Sequence, residues 1–205
     1  PALTTTGWYD QQIGAIKNFT GMRENARTSE ARRGQKLIIG PWSHTIDFSS
    51  SRVGVMDFGP ESVMDFVQIA DDWFGHWLKK EDTGVNEWPP IRIFVMGSNT
   101  WRYESESPLS RARYTNYYLH NINTTNHQKA PGFLDFKEPH DEQPDSYIYD
   151  PRDPRMTLYS DSGQQEPHDQ RLPNGRTDVL TYQTCILEEP IEVTGPVTVK
   201  LWASS

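Results

Sequence analysis

The chain has 205 residues, a net charge of −8 and one cysteine, Cys185. Acidic residues outnumber basic ones and no Lys/Arg cluster lacks neighbouring acids, which argues against nucleic-acid binding. A single cysteine excludes an internal disulfide and a cysteine-rich metal site, and no apolar run approaches membrane-spanning length. We therefore expect a globular protein without a metal or other cofactor, and we favour the cytoplasm as its compartment.

Residues 1–97 alternate between strand-like and helix-like segments. A strand ends near Thr6, and Gln12–Glu24 has apolar residues near helical spacing. Lys36–Gly40 is a short buried strand, and Ile91–Met96 is an almost continuous apolar run, typical of a parallel strand covered on both faces. This alternation predicts one parallel sheet with helical crossover connections.

The longest predicted helix covers Glu61–Lys80. Its apolar residues recur at helical spacing and define one stripe, which predicts the face that packs on the sheet. The stripe consists of Val63, Val67, Ala70, Phe74 and Trp77.

The pattern changes after Trp101, and three short alternating segments follow at Tyr114–Leu119, Asp178–Thr184 and Val197–Trp202. They predict an antiparallel sandwich. We expect an α/β part at residues 1–112 and an all-β part at residues 113–205. The last predicted strand leaves an open sheet edge, so we expect the chain to be part of a larger protein.

Two motifs place an acidic residue and a histidine at the ends of predicted strands. Gly7-Trp8-Tyr9-Asp10 follows the first strand, and Gly40-Pro41-Trp42-Ser43-His44 follows the second. The carboxyl ends of parallel strands share one sheet edge, so Asp10 and His44 should lie within hydrogen-bond reach. Nucleophile, acid, base is the chain order of a Ser/Asp/His triad in α/β-hydrolases. We expect Asp10 as the acid, His44 as the base, and a serine elsewhere in the same polypeptide.

Each of these residues also has a structural interpretation. Asp10 could cap the helix that begins near Gln12, and Asp47 could compete for His44. The aromatic residues beside the pair, Trp8, Tyr9 and Trp42, either line an acyl pocket and exclude water or pack in the core. The other histidines show no metal-ligand spacing, and His76 is expected on a helix surface.

The landmarks of the chain resemble the cocaine esterase and X-Pro dipeptidyl-peptidase group of α/β-hydrolases. Besides the two motifs they are Phe94-Val95-Met96-Gly97 with Trp101-Arg102, Tyr149-Asp150-Pro151 with Asp153-Pro154, and Asp178-Val179-Leu180 before Glu192-Val193-Thr194-Gly195. The resemblance implies the C-terminal part of an α/β-hydrolase fold followed by a truncated jelly-roll β-sandwich.

By the same resemblance, Asp10 is the catalytic acid, His44 is the general base, and Leu158 and Tyr159 are an apolar pair that lines the acyl pocket. Gln12 stands where an esterase relative carries an aromatic pocket residue, which argues against an aromatic acyl group. The serine, the oxyanion-hole donors and a helical cap would lie outside these residues.

The function predicted is that of a serine hydrolase acting on a small-molecule ester or amide, including acyl and X-Pro dipeptidyl substrates and β-lactam side chains. These 205 residues alone should be inactive without the serine. The alternative is a non-catalytic β-sandwich fragment that binds carbohydrate or protein. No membrane partner is expected, and the oligomeric state is left open.

Overall fold

The structure is a computed structural model that describes residues 1–121, 132–155, 167–169 and 176–204. Its contacts divide these residues into two units. The first unit holds residues 1–110, 167–168 and 195–204, and the second holds residues 111–121, 132–155, 169 and 176–194.

The first unit is built on a mixed four-stranded sheet. Its elements, in chain order, are β1 (Leu3–Tyr9), α1 (Gln12–Asn25), α2 (Ser29–Arg33), β2 (Lys36–Ser43), β3 (Arg52–Val53), β4 (Met56–Asp57), α3 (Phe66–Phe74), β5 (Ile91–Val95) and β6 (Thr100–Glu104). The sheet order is β1-β2-β5-β6, in which β1, β2 and β5 are parallel and β6 is antiparallel to β5. The short strands β3 and β4 form a separate antiparallel pair.

Both faces of this sheet are covered, as the apolar character of β2 and β5 predicts. On one face the ring of Phe19 from α1 packs against Leu37, Ile39 and Ile93. On the other face Ile38 and Trp42 pack with Met64 and with partly buried residues of α3 and β6. Every residue of β2 is buried, which makes it the central strand of the core.

The predicted stripe on the long helix is wrong in its position. Asp65 begins α3 by accepting a hydrogen bond from the Gln68 amide, so the helix starts later than predicted, and Gly75–Lys79 is a π-helical turn. Trp73 is buried, and Phe66 and Ile69 pack on the core. Val67, in contrast, is 81% exposed. Phe66, Ile69 and Trp73 also recur at helical spacing, and this second apolar set, beside the predicted stripe, is the face that packs.

The second unit contains a three-stranded sheet. β7 (Tyr118–His120) is antiparallel to β8 (Gly132–Asp135), which is parallel to β9 (Tyr182–Gln183). Two of the predicted strands are therefore present in shorter form. The third prediction, a strand at Val197–Trp202, is not met, because these residues of the first unit are exposed and form no strand. The jelly-roll architecture stays a prediction.

A buried histidine ties β7 to the segment that follows β8. His120 is 6% exposed, and its Nδ1 lies 2.6 Å from Glu142 Oε1 while its Nε2 lies 3.0 Å from the Lys137 carbonyl oxygen. Both partners accept hydrogen bonds, so both ring nitrogens donate, as in an imidazolium. The hydrogen bond that His120 donates to Glu142 raises the pKa of His120, against the opposing effect of burial.

We expect Glu142→Gln to destabilise the second unit in a pH-dependent way. A raised pKa in the folded state stabilises the fold fully below the ordinary histidine value of about 6.5, and this contribution is lost as pH rises through the raised value. Hydrogen bonds from Asn121 and His120 lower the pKa of Glu142, so its own contribution is lost in stronger acid. The difference in Tm between wild type and variant should therefore be largest near pH 5–6 and shrink towards pH 9. Glu138→Gln, an exposed change in the same segment, is the control, and a difference independent of pH would contradict the ion pair.

Candidate active site

A change of register between β1 and β2 aligns the two motifs. Gly7 pairs with Gly40, but Tyr9 pairs with Ser43, so β2 uses one more residue than β1 over this step. This is the geometry of a β-bulge, and Pro41, which has no N–H to donate, lies within it. With Tyr9 opposite Ser43, the next residues of the two strands, Asp10 and His44, leave the sheet side by side.

The glycines of the two motifs permit this close approach. A Cβ atom on Gly7 would lie 2.0 Å from the carbonyl oxygen of Trp42, and one on Gly40 would lie 2.5 Å from the Trp42 ring. Neither distance is sterically acceptable. The indole of Trp42 therefore lies over Gly40, and the backbone of β2 passes Gly7 where any side chain would collide.

Asp10 and His44 form a direct hydrogen bond. The Nδ1 atom of His44 lies 2.9 Å from Oδ1 of Asp10, although the residues are 34 positions apart. Hydrogen bonds from His44 and the Gln11 backbone lower the pKa of Asp10, against a smaller effect of burial. The carboxylate is thus ionised at neutral pH and accepts a hydrogen bond from Nδ1–H of His44. The Asp10 side chain is 19% exposed and that of His44 is 88% exposed, so the other face of the imidazole is accessible.

The competing interpretations of the two acids do not fit the structure. The N-cap of α1 is Gln11, one residue after Asp10, and its side chain makes no capping hydrogen bond, so Asp10 is not the cap residue of this helix. Asp47 accepts hydrogen bonds from the backbone amide and the hydroxyl of Ser49, at 2.9 and 2.7 Å. These contacts turn the Asp47 carboxylate towards its own loop, and the hydrogen bond predicted between Asp10 and His44 is confirmed.

The aromatic residues of the motifs take different positions. Trp8 donates its indole N–H to the Phe94 carbonyl oxygen at 2.7 Å and packs on the α1 side of the sheet. Tyr9 is half-buried beside Phe58, and burial raises the pKa of its hydroxyl. Trp42 is only 1% exposed and packs edge-on against Phe48, so it has the core role rather than that of a pocket wall.

The structure describes only some of the other features named in the sequence analysis. Leu158 and Tyr159 lie outside the described residues. His76 lies in the π-helical turn after α3, with Nδ1 3.2 Å from the Glu81 carbonyl oxygen.

Within the described residues, no three His, Cys, Asp or Glu side chains are grouped so that they could hold a metal ion. In the same part of the chain, no helix combines the length and apolar character needed to cross a membrane.

Residues 83–205 match the family described as the X-Pro dipeptidyl-peptidase C-terminal non-catalytic domain. This chain belongs to the cocaine esterase and X-Pro dipeptidyl-peptidase family. The resemblance inferred from the motifs is thereby confirmed. The family match begins before β5, so it includes the last two strands of the first sheet. Asp10 and His44 precede the matched residues.

Three individual proteins are similar to this chain. The cocaine esterase of Rhodococcus sp. (strain MB1 Bresler) is 35% identical over 213 residues, covering 100% of this chain and 36% of that protein. An α-amino acid ester hydrolase structure has a TM-score of 0.72 at 26% identity, covering 95% of this chain and 33% of that chain. An aminopeptidase from a marine sediment Thaumarchaeota archaeon shares the fold, with a TM-score of 0.63 at 22% identity, covering 88% of this chain and 30% of that chain. The chain spans about a third of the length of each.

Proposed function

We propose that this chain supplies the acid and the base of a serine hydrolase whose nucleophile lies elsewhere in the protein. The observation that carries the proposal is the 2.9 Å hydrogen bond between Asp10 and His44 where two parallel strands end. A histidine oriented by an ionised carboxylate is the activating part of a Ser/Asp/His triad. The names of the relatives support ester or amide hydrolysis as the reaction class.

In the proposed mechanism, Asp10 accepts a hydrogen bond from the Nδ1–H of His44, which holds the tautomer whose Nε2 lone pair is free. Nε2 removes the proton of the serine hydroxyl as the serine oxygen attacks the carbonyl carbon of the ester or amide. The imidazolium that forms is stabilised by Asp10 and gives its proton to the leaving alcohol or amine, which leaves an acyl-enzyme. Nε2 then deprotonates a water molecule that attacks the acyl carbon, and the acid is released with the serine restored.

The two parts of the chain have separate roles in this proposal. Residues 1–112 form the end of the α/β-hydrolase domain, which the parallel strands β1, β2 and β5 with their intervening helices support. Residues 113–205 contribute to a jelly-roll domain without catalytic groups, in line with the description of the matched family as a non-catalytic domain. In this proposal the half-buried Tyr9, adjacent to Asp10 in the chain, borders the acyl or X-Pro dipeptidyl group. Trp8, Leu158 and Tyr159 are the other predicted pocket residues.

A fluorophosphonate probe tests this proposal, because it reacts covalently with a serine only where a base activates the hydroxyl. In the full-length protein we expect rapid labelling of one serine outside these 205 residues, located by mass spectrometry of the digested protein. His44→Ala should slow labelling by a factor on the order of 10³. Asp47→Asn changes the acid that contacts Ser49 instead of His44, so this control should label at the wild-type rate. Equal labelling of the His44 variant would refute the proposal, and a binding fragment without catalysis would not label.

A further inference from the structure

A cavity of about 470 Å³ lies in the first unit beside the start of β2. It is at the end of the strand opposite to the one that leads to His44. The α2–β2 turn forms one wall, and the π-helical turn after α3 forms another. Three of its lining residues are Arg33, Lys36 and His76, so cationic and ionisable groups converge on a space large enough for a small ligand.

Lys36 is the most informative of these residues, because it is only 6% exposed. Its Nζ atom donates a hydrogen bond to the Trp88 carbonyl oxygen, and among the described residues no carboxylate pairs with it. An ammonium group has three hydrogens to donate. Burial, with a further effect of the Arg23 charge, lowers the pKa of Lys36. A buried ammonium that lacks an anionic partner would be stabilised by an anion in the cavity.

Two further donors line the same space. The indole N–H of Trp77 is buried, and no partner for it is found among the described residues. Among the described residues, the hydrogen-bond partner of the Arg33 guanidinium is a neutral group in its own helix, the Ser29 hydroxyl at 3.2 Å. Glu30 is the only acid among the described residues that line the cavity, so Lys36 and Arg33 leave the wall with an excess positive charge even when His76 is neutral.

We propose that this cavity binds a small oxyanion, a carboxylate or a phosphate group, through Lys36 and Arg33 with the Trp77 indole as a neutral donor. Cationic donors form strong, charge-assisted hydrogen bonds with oxyanions, and the planar guanidinium suits two oxygens of one group. The Trp77 ring adds an apolar wall next to the charged donors. This binding site does not depend on the proposed hydrolase activity.

Calorimetric titration of the full-length protein with sodium phosphate and with sodium acetate, at fixed ionic strength, tests this site. We expect saturable binding of at least one of the two ions, and the comparison identifies the preferred oxyanion. Lys36→Met should weaken binding about tenfold or more, the size expected for one hydrogen bond to a charged group. Arg33→Gln, an exposed change that is not expected to disturb the fold, should also weaken binding and so gives a result even if the Lys36 variant does not fold.

Lys17→Met is the matched control, because it removes an equal charge from an exposed position on α1 outside the cavity lining. It should bind the ion as the wild type does. The proposal is overturned if neither ion binds saturably, or if Lys36→Met and Arg33→Gln both bind with wild-type affinity.

Discussion

Replacing His44 with alanine in the full-length protein should lower kcat for ester hydrolysis by a factor on the order of 10³ or more, because the serine then has no base. Asp10→Asn should cause a loss of similar size. An amide in place of the carboxylate no longer stabilises the imidazolium, and it can present an N–H to Nδ1 that favours the wrong tautomer. The measurement is kcat for a nitrophenyl ester, with Tm recorded for each variant.

The double variant distinguishes two hypotheses: that Asp10 and His44 act as one catalytic unit, or that each has an independent structural role. If Asp10 acts only through His44, the double variant should be scarcely slower than His44→Ala alone. The lowered pKa of Asp10 keeps its carboxylate ionised, and so able to accept the hydrogen bond from His44, well into acid. Multiplied losses with a lowered Tm, or near-normal kcat in Asp10→Asn, would show that the hydrogen bond serves the fold instead.

Gly7→Ala should be the most disruptive single-methyl change near the site. The added Cβ would lie 2.0 Å from the Trp42 carbonyl oxygen, so β1 and β2 must separate. We expect a loss of about 2–3 kcal/mol in the free energy of unfolding, measured by urea denaturation of the full-length protein. Because the strands carry Asp10 and His44, a displacement of about 1 Å should also lower kcat on the order of 10²-fold.

Gly14→Ala is the control for this change. Gly14 lies inside α1, and a Cβ there would meet no atom within 4 Å. Alanine is favoured over glycine within a helix, so this variant should gain about 0.5–1 kcal/mol of stability and keep the wild-type kcat. If Gly7→Ala is as stable and active as Gly14→Ala, the close approach of the two strands does not position the acid and the base.

The positions of Asp10 and His44 could be predicted because they depend on local patterns. Each residue follows an apolar strand, and parallel strands end at a common sheet edge. The bulge between Gly40 and Ser43 could not be predicted from the motifs alone, since a register depends on both strands. Its signal is present nevertheless, in a glycine and a proline that interrupt a buried strand.

Other features depended on contacts that no local pattern encodes. The buried face of α3 was missed because the helix has two apolar sets at helical spacing, and only the contacts with the sheet select the one that contains Phe66, Ile69 and Trp73. β6 was missed because the turn that joins it to β5 is short. Gly97 and Asn99 both adopt positive φ in this turn, and the presence of a glycine and an asparagine is the sequence signal for it. The hydrogen bond between His120 and Glu142 joins the end of β7 to a residue 22 positions later. Glu142 lies outside the helices and strands, where hydrophobic periodicity gives no information.

The bulge in β2 also determines which sequence changes the candidate site can accept during evolution. Backbone pairing between two strands fixes the distance from Asp10 to His44, and α1 contributes only one fully buried side chain, Phe19, to that arrangement. The connection through α1 and α2 is therefore free to gain or lose residues at its exposed turn near Arg27 without moving either group. A deletion within Gly40–Ser43 acts on the pairing itself, because it either removes the bulge or, if the bulge is kept, places His44 opposite Tyr9 instead of beside Asp10. Length variation among homologues should therefore accumulate between the helices and be excluded from the strand.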